Sequence, residues 1–372
     1  MGNVASADVP CWLDLTGKIA EHHPRFLKDL ADIESHFLAD PLNGVSADRP
    51  IYICGLARAG STILLEILAS HSDTASHRYR DFPFPFIPVW WNTFLDRATG
   101  GGPEAVERFH EDRIRAGPES PEAMEEPIWM AFFPHCHDPE RSNVLGTRTR
   151  RPTFARFYRS HLRKMIRLRG GNRYLAKNNY NITRIEYLHR LFPRARFLLP
   201  MRAPVHHVAS SMRQQRIFSR KLEGNRRALD YLRRAGHFEF GPLRRPINTG
   251  DETVTERIQQ LWETGRECEG WAVYWRSIYR FVADLLEGDP ELRQSALVVP
   301  YKRLCGESSR TLRAIYGHTD LEVGPGEVAR QAELLSAPDY YDLPFGAGKE
   351  KQIRKITEDT HARLMNLQAK PF

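Results

Sequence analysis

The chain reads as an α/β protein of three layers, with a central parallel sheet between helices. Two stretches carry that reading. "IYICGLARAGSTILLEIL" (residues 51–68) is an apolar strand, a glycine loop and an apolar helix. "RYLAKNNYNITRIEYLHRLFPRARFLLPMRAPVHHVASS" (173–211) runs strand, helix, strand, helix. Short apolar strands alternating with amphipathic helices mark the crossovers that parallel pairing requires.

Each element has its own signal. Residues 12–40 interleave charged and apolar side chains and read as helix on the outside of the core. The turn formers of "PLNGVSADRP" end it, before a strand at 51–54 and a helix from about 61 to 70. "FPFPFIPVWW" (82–91) is too rich in proline for a helix and reads as an aromatic loop. A strand ends at Lys177, and the helix after it carries Ile182, Ile185, Leu188 and Leu191 on one face, with Pro193 beyond its end. A strand over 195–201 ends at Arg202, and Pro204 suits the first turn of the next helix. Residues 256–287 read as one long helix, "ALVVPYKRL" (296–304) as a buried strand, and the last 25 residues as a basic helix. The expected organisation is a single domain over 1–372, with 1–49 as a helical extension and with 96–127 and 213–255 as insertions or flaps.

Three of these strands end in anion-binding chemistry. From Gly55 the loop runs G-x-x-x-x-G-S-T, almost the P-loop of nucleotide triphosphatases, but Ser61 stands where their lysine would be and Arg58 lies inside the loop. Gly60 lets the backbone approach an oxyanion, Ser61 and Thr62 add hydroxyl donors, and Arg58 adds a planar fork suited to phosphate or sulfate. The next strands end in Lys177 and Arg202. Ligands of open parallel sheets bind beyond the carboxyl ends of the strands, where helix N-termini offer free N–H groups. No strand ends in the aspartate that a magnesium-dependent triphosphatase would use, so the site is expected to hold anions with fixed cations and no metal.

"GLARAGSTILLEILASH", "LAKNNYNITRIEYLHRLFPRARFLL", "RFLLPMRAPVHHVASS" and "VVPYKRL" resemble, in order, the motifs of sulfotransferases that use 3′-phosphoadenosine 5′-phosphosulfate (PAPS). The resemblance covers about 51–71, 172–215 and 296–304. It implies a P-loop-like sulfotransferase fold and transfer of a sulfuryl group from PAPS to a hydroxyl or amine, on a small molecule, a carbohydrate or a glycolipid, leaving adenosine 3′,5′-bisphosphate (PAP). It further implies that Arg58, Ala59, Gly60, Ser61 and Thr62 hold the 5′ end of the donor, that Arg202 and Ser210 hold its 3′-phosphate, and that Tyr301 lies against the adenosine. The family pattern has serine at position 59, threonine at 61 and aspartate at 203; here these are Ala59, Ser61 and Ala203.

Sulfuryl transfer needs cations on the sulfate and a base for the acceptor proton. Arg58 and Lys177 are the candidate cations. In the family a His or Glu after the first helix serves as base, and "HSDTASHRYRDFPF" (71–84) is the matching stretch. Asp81 is the first candidate, since desolvation beside the aromatic loop would raise its pKa, and His77 is the second. The alternatives are a magnesium-dependent kinase or triphosphatase with an aberrant P-loop, and a noncatalytic polyanion binder.

The net charge of +8 fits an anionic partner. Residues 213–245 hold ten Lys or Arg against three acids, but lack the aromatic interleaving of single-strand binders, so no nucleic acid is expected. The five cysteines are scattered without a C-x-x-C, which argues for reduced thiols, a cytoplasmic setting and no structural zinc. No apolar run is long enough to span a membrane and no secretory leader is visible. "MGNVAS" matches an N-acylation pattern at Gly2.

Overall fold

The computed structural model describes residues 11–99, 106–107, 115–335, 343 and 345–367. The Gly2 acylation pattern and the middle of the 96–127 segment lie outside these residues.

The elements follow in the order α1 (Cys11–His22), α2 (Pro24–Phe37), β1 (Ile51–Ile53), α3 (Ser61–Ala69), β2 (Thr74–Ala75), α4 (Pro88–Thr99), β3 (Val106–Glu107), β4 (Arg115–Ala116), α5 (Glu126–Phe132) and α6 (Pro152–Arg169). Then come β5 (Arg173–Lys177), α7 (Ile185–Leu191), β6 (Arg196–Met201), α8 (Pro204–Leu222), α9 (Arg226–Ala235), α10 (Glu252–Glu263) and α11 (Glu267–Gly288). The chain closes with α12 (Pro290–Ser295), β7 (Ala296–Pro300), α13 (Tyr301–Gly306), α14 (Ser308–Thr319), α15 (Pro325–Glu333) and α16 (Ala347–Leu367).

The central sheet is parallel and five-stranded, in the order β2-β5-β1-β6-β7. β1 lies in the middle, with Ile53 opposite Lys177 of β5 on one side and Leu198 of β6 on the other. Met201 of β6 pairs with Pro300 of β7. The register therefore brings the residues after Ile53, Met201 and Pro300, and Lys177 itself, to one edge of the sheet. Strand side chains alternate between faces. Ile51, Ile53, Leu175, Leu198 and Val299 join α3 and α14 in one apolar layer. Tyr52, Cys54, Tyr174, Ala176, Phe197 and Leu199 face the larger layer containing α6, α8 and α11. This is the three-layer parallel architecture expected from the sequence.

Several boundaries differ from expectation. The 12–40 segment is two helices, broken where Pro24 opens α2. Helix α4 begins inside the proline-rich stretch, with Pro88 in its first turn, where a missing N–H costs nothing. The 256–287 segment is split into α10 and α11 by Gly265, whose φ of +74° no continuing helix accommodates. The strand expected over 296–304 stops at Pro300, so Tyr301 opens a helix. Residues 122–126 are not a loose flap: Glu122, Met124, Glu125 and Glu126 are buried. The 213–255 segment is likewise anchored through buried Ile217, Phe218, Leu222, Phe238 and Phe240. Cys54, Cys136, Cys268 and Cys305 are buried free thiols.

Candidate functional site

The glycine loop leaves β1 and turns sharply into α3. Gly55 lies against β6: a Cβ there would stand 2.8 Å from the Pro200 carbonyl oxygen. Gly60 is the residue before α3, at φ +95°. Arg58 also has a positive φ, +73°, unusual for a residue with a side chain. Such strain persists where the surroundings hold it. Here the Arg58 side chain crosses to α8, where Nε donates to Ser210 Oγ at 3.3 Å. The two loops named in the sequence, 152 residues apart, are thus in direct contact.

Tyr301 joins them from the start of α13, just past β7. Its ring fills the space above Gly60, where a Cβ would meet Tyr301 Cδ2 at 2.4 Å. The Arg202 guanidinium lies 5.4 Å from the centre of the same ring. Burial, with Cys305 beside it, pushes the Tyr301 hydroxyl up to about 12, against the opposing pull of Arg202 and Arg58. His207, fully inside α8, is pulled down to about 3 by burial and then by the charge of Arg202. It is a neutral packing residue. His206 is also lowered, by burial, then by Arg202 and by Arg354 of α16. Ala59 and Ser61 are buried, whereas Arg58, Gly60, Thr62, Arg202, Ser210 and Tyr301 are half-buried. Arg58, Gly60, Arg202 and Tyr301 therefore meet at the N-termini of α3, α8 and α13, with Ser210 reaching them from the second turn of α8.

Lys177 stands beside them at the end of β5, its Nζ 3.5 Å from Glu122 Oε1. Tyr79 donates its hydroxyl to Glu122 Oε2 at 2.5 Å. Two residues on, Asn179 donates to Glu239 Oε1 at 2.8 Å, and Glu239 Oε2 lies 3.5 Å from His237 Nδ1. The Phe238 N–H donates to the Tyr180 hydroxyl at 3.0 Å, pinning segment 237–239 to the end of β5. Glu122, His237 and Glu239 escaped the sequence reading. Their partners are distant in the chain, and they fell within stretches read only as an acidic flap and a basic run.

The expected bases are placed differently. Asp81 is fully buried and His77 nearly so. His77 Nδ1 lies 2.8 Å from Asp81 Oδ2, Arg169 donates to Oδ1 at 2.5 Å, and Asn92 donates to Oδ1 at 2.9 Å. Burial alone would raise the Asp81 carboxyl, but the bond and charge of His77, then Arg169 and Asn92, outweigh it. The carboxyl is held well below the usual carboxylate range, correcting the expectation of a raised pKa. The far nitrogen of His77 meets His161 Nε2 at 2.9 Å. This sealed network ties the 77–81 turn to α6.

Glu126, Cys136 and His137 bring three ligand-type atoms within 4.8 Å of one another. The Glu126 carboxylate already pairs with Arg184, which donates at 2.6 and 2.9 Å, and accepts from Asn178 at 2.6 Å. Burial and the neighbouring carboxylate push the Cys136 thiol up to about 12. The group is an internal ion pair with a protonated thiol.

The sulfotransferase family model matches residues 50–239, just over half of the chain and all of the first two loops. Among solved structures the chain is similar to sulfotransferase STF1 from Mycobacterium tuberculosis H37Rv, at 14% identity, covering 93% of this chain and 86% of that one with a TM-score of 0.49. It is also similar to sulfotransferase STF9 from Mycobacterium avium, at 14% identity, 88% and 80% coverage and a TM-score of 0.47. A sulfotransferase from Alicyclobacillus acidocaldarius follows at 14% identity, 88% and 98% coverage and a TM-score of 0.41. No curated protein matches the chain. On the family match over residues 50–239, the chain belongs to the sulfotransferase family.

Proposed function

We propose that the chain transfers the sulfuryl group of PAPS to a hydroxyl or amine acceptor, and that the meeting of Arg58, Arg202, Ser210 and Tyr301 is its donor cradle. The single observation that carries this reading is the Arg58–Ser210 hydrogen bond, with Arg202 stacked on Tyr301 beside it. One nucleotide with charge at both ends fits two cations gathered near one aromatic ring.

The residues divide by position. The N–H groups at the start of α3, with Ser61 and Thr62, face the 5′ end, where Arg58 offers its fork to phosphate and sulfate oxygens. Arg202, just before α8, and Ser210, in its second turn, take the 3′-phosphate. Tyr301 presents its ring to the adenosine side and braces Gly60. Lys177, opposite Ile53 in the register, is the cation for the transferring sulfate. PAPS supplies the activated sulfuryl group and the leaving phosphate; the chain supplies position and charge. Every cation named is fixed in the fold, so the reading calls for no metal. Among the described residues, no helix is long and apolar enough to cross a membrane.

A thermal-shift screen tests the reading. PAP is expected to raise the melting temperature at micromolar concentration, while ATP, GTP and NAD with magnesium leave it within a degree. A response to ATP and magnesium that exceeds the response to PAP would favour the kinase or triphosphatase alternative instead.

A further inference from the structure

We propose that His237 is the base that takes the acceptor's proton, positioned by Glu239 and neighboured by the Lys177–Glu122 pair. The inference rests on the sulfuryl-transfer reading above. The bases expected from the sequence are enclosed, with Asp81 at 0% and His77 at 2% exposure. The His237 side chain is 27% exposed and that of Glu239 16%. Asn179 and Tyr180 hold this pair two and three residues beyond Lys177, on the carboxyl edge of the sheet where the glycine loop also ends. His237 turns Nδ1 toward Glu239, which leaves Nε2 for the acceptor.

The neighbouring carboxylates are less suited to the task. Glu239 has one oxygen engaged by Asn179 and the other facing His237. Glu122 has Tyr79 on one oxygen, and Lys177 with the Ala123 N–H on the other.

In the step, the acceptor oxygen or nitrogen forms a bond to sulfur as its proton passes to His237 Nε2. The bond from sulfur to the bridging phosphate oxygen breaks, and its electron pair leaves on the 5′-phosphate of PAP. Glu239 faces the imidazolium that forms and stabilises it. The titratable groups facing His237 are Glu239, Glu122 and Lys177. Burial lowers the imidazole, but the bond and charge of Glu239, then Glu122, outweigh it, so its pKa is raised from the ordinary histidine value. The base form therefore appears as pH rises through that raised value.

The test uses the full chain, PAP binding by thermal shift, and PAP release from PAPS with water as the acceptor, between pH 5 and 9. His237→Gln is expected to bind PAP within about twofold of wild type but to release PAP about 100-fold more slowly, with the rising limb of the pH profile gone. Glu239→Gln is expected to move the midpoint of that limb to lower pH, a change that a merely structural role would not produce. If His237→Gln melts below the assay temperature, the Glu239→Gln midpoint decides. Unchanged rate and limb in His237→Gln, or an unmoved midpoint in Glu239→Gln, overturns the assignment. So does a wild-type chain that binds PAP yet leaves PAPS intact at every pH. A chain that does not bind PAP fails first at the donor cradle, and this assignment falls with it.

Discussion

Gly60→Ala is the most informative single substitution in the donor loop. A Cβ at this position would lie 2.4 Å from Tyr301 Cδ2 and 2.8 Å from Cε2, inside any real contact distance. The backbone is also at φ +95°, which a side chain disfavours by about 1–2 kcal/mol. Forcing the methyl against the ring adds about 1–3 kcal/mol, as overpacking generally does. The sum is a loss of about 2–5 kcal/mol, or a melting temperature lower by about 3–6 °C for a chain of this length. The ring has one way to yield, which is to swing away from Gly60 and from the Arg202 guanidinium it faces. PAP affinity is then expected to fall about tenfold, since about 1.4 kcal/mol is a factor of ten. A double-mutant cycle separates clash from backbone strain. Tyr301→Ala removes the ring, so the Gly60→Ala penalty should shrink by about 1–3 kcal/mol in that background. Calorimetric melts and PAP titration on the four proteins give the answer. Additive costs, or a Gly60→Ala chain that melts and binds as wild type, would refute the packing of Tyr301 on this loop.

Two further predictions concern the buried networks. Asp81→Asn breaks the pair with Arg169 and His77 and is expected to cost about 3–5 kcal/mol, the range for removing one partner of a buried ion pair, with PAP affinity unchanged; a chemical-denaturation curve and a PAP titration check both. Because the folded-state pKa of Asp81 is depressed, its stabilisation is fully present above the ordinary carboxylate range near pH 4 and is lost as pH falls further. The unfolding free energy of Asp81→Asn should therefore fall less steeply than that of wild type as pH drops below about 4. Glu126→Gln leaves Arg184 buried without its counter-charge and is expected to cost a similar amount, about 3–5 kcal/mol, whereas added zinc is expected to leave the wild-type melting temperature unmoved.

The parts legible in the sequence were those set by local chemistry. The apolar runs gave the strands, Pro204 gave the start of α8, and the loop ending in Gly60, Ser61 and Thr62 announced a strand–turn–helix corner. Lys177 and Arg202 could be placed at strand ends because strand and helix periodicities change abruptly beside them. The register then brings those ends together, and the Arg58–Ser210 contact is the consequence. The rest depended on partners remote in the chain. Desolvation of Asp81 was foreseen, but the bond and charge of His77, helped by Arg169, 88 residues away, outweigh it. Glu122 looked like one acid in a flap until Lys177 and Tyr79 were seen around it. The helix break at Gly265 carried only a weak signal, since a single glycine is tolerated inside many helices. Tyr301 was read as the end of a strand because the apolar run from Ala296 leads up to it; the preceding Pro300 ends the ladder instead.

The most direct test of the donor cradle is the PAP dissociation constant of wild type, Arg58→Ala, Arg202→Ala and the double variant, measured by isothermal titration. Each arginine is expected to contribute about 1.5–3 kcal/mol, the range for hydrogen bonds to charged groups, so each single variant should bind roughly 10- to 150-fold more weakly. The double variant should lose binding altogether, while all four proteins melt within a few degrees of one another. Wild-type affinity retained in either single variant would contradict the placement of both arginines on one nucleotide.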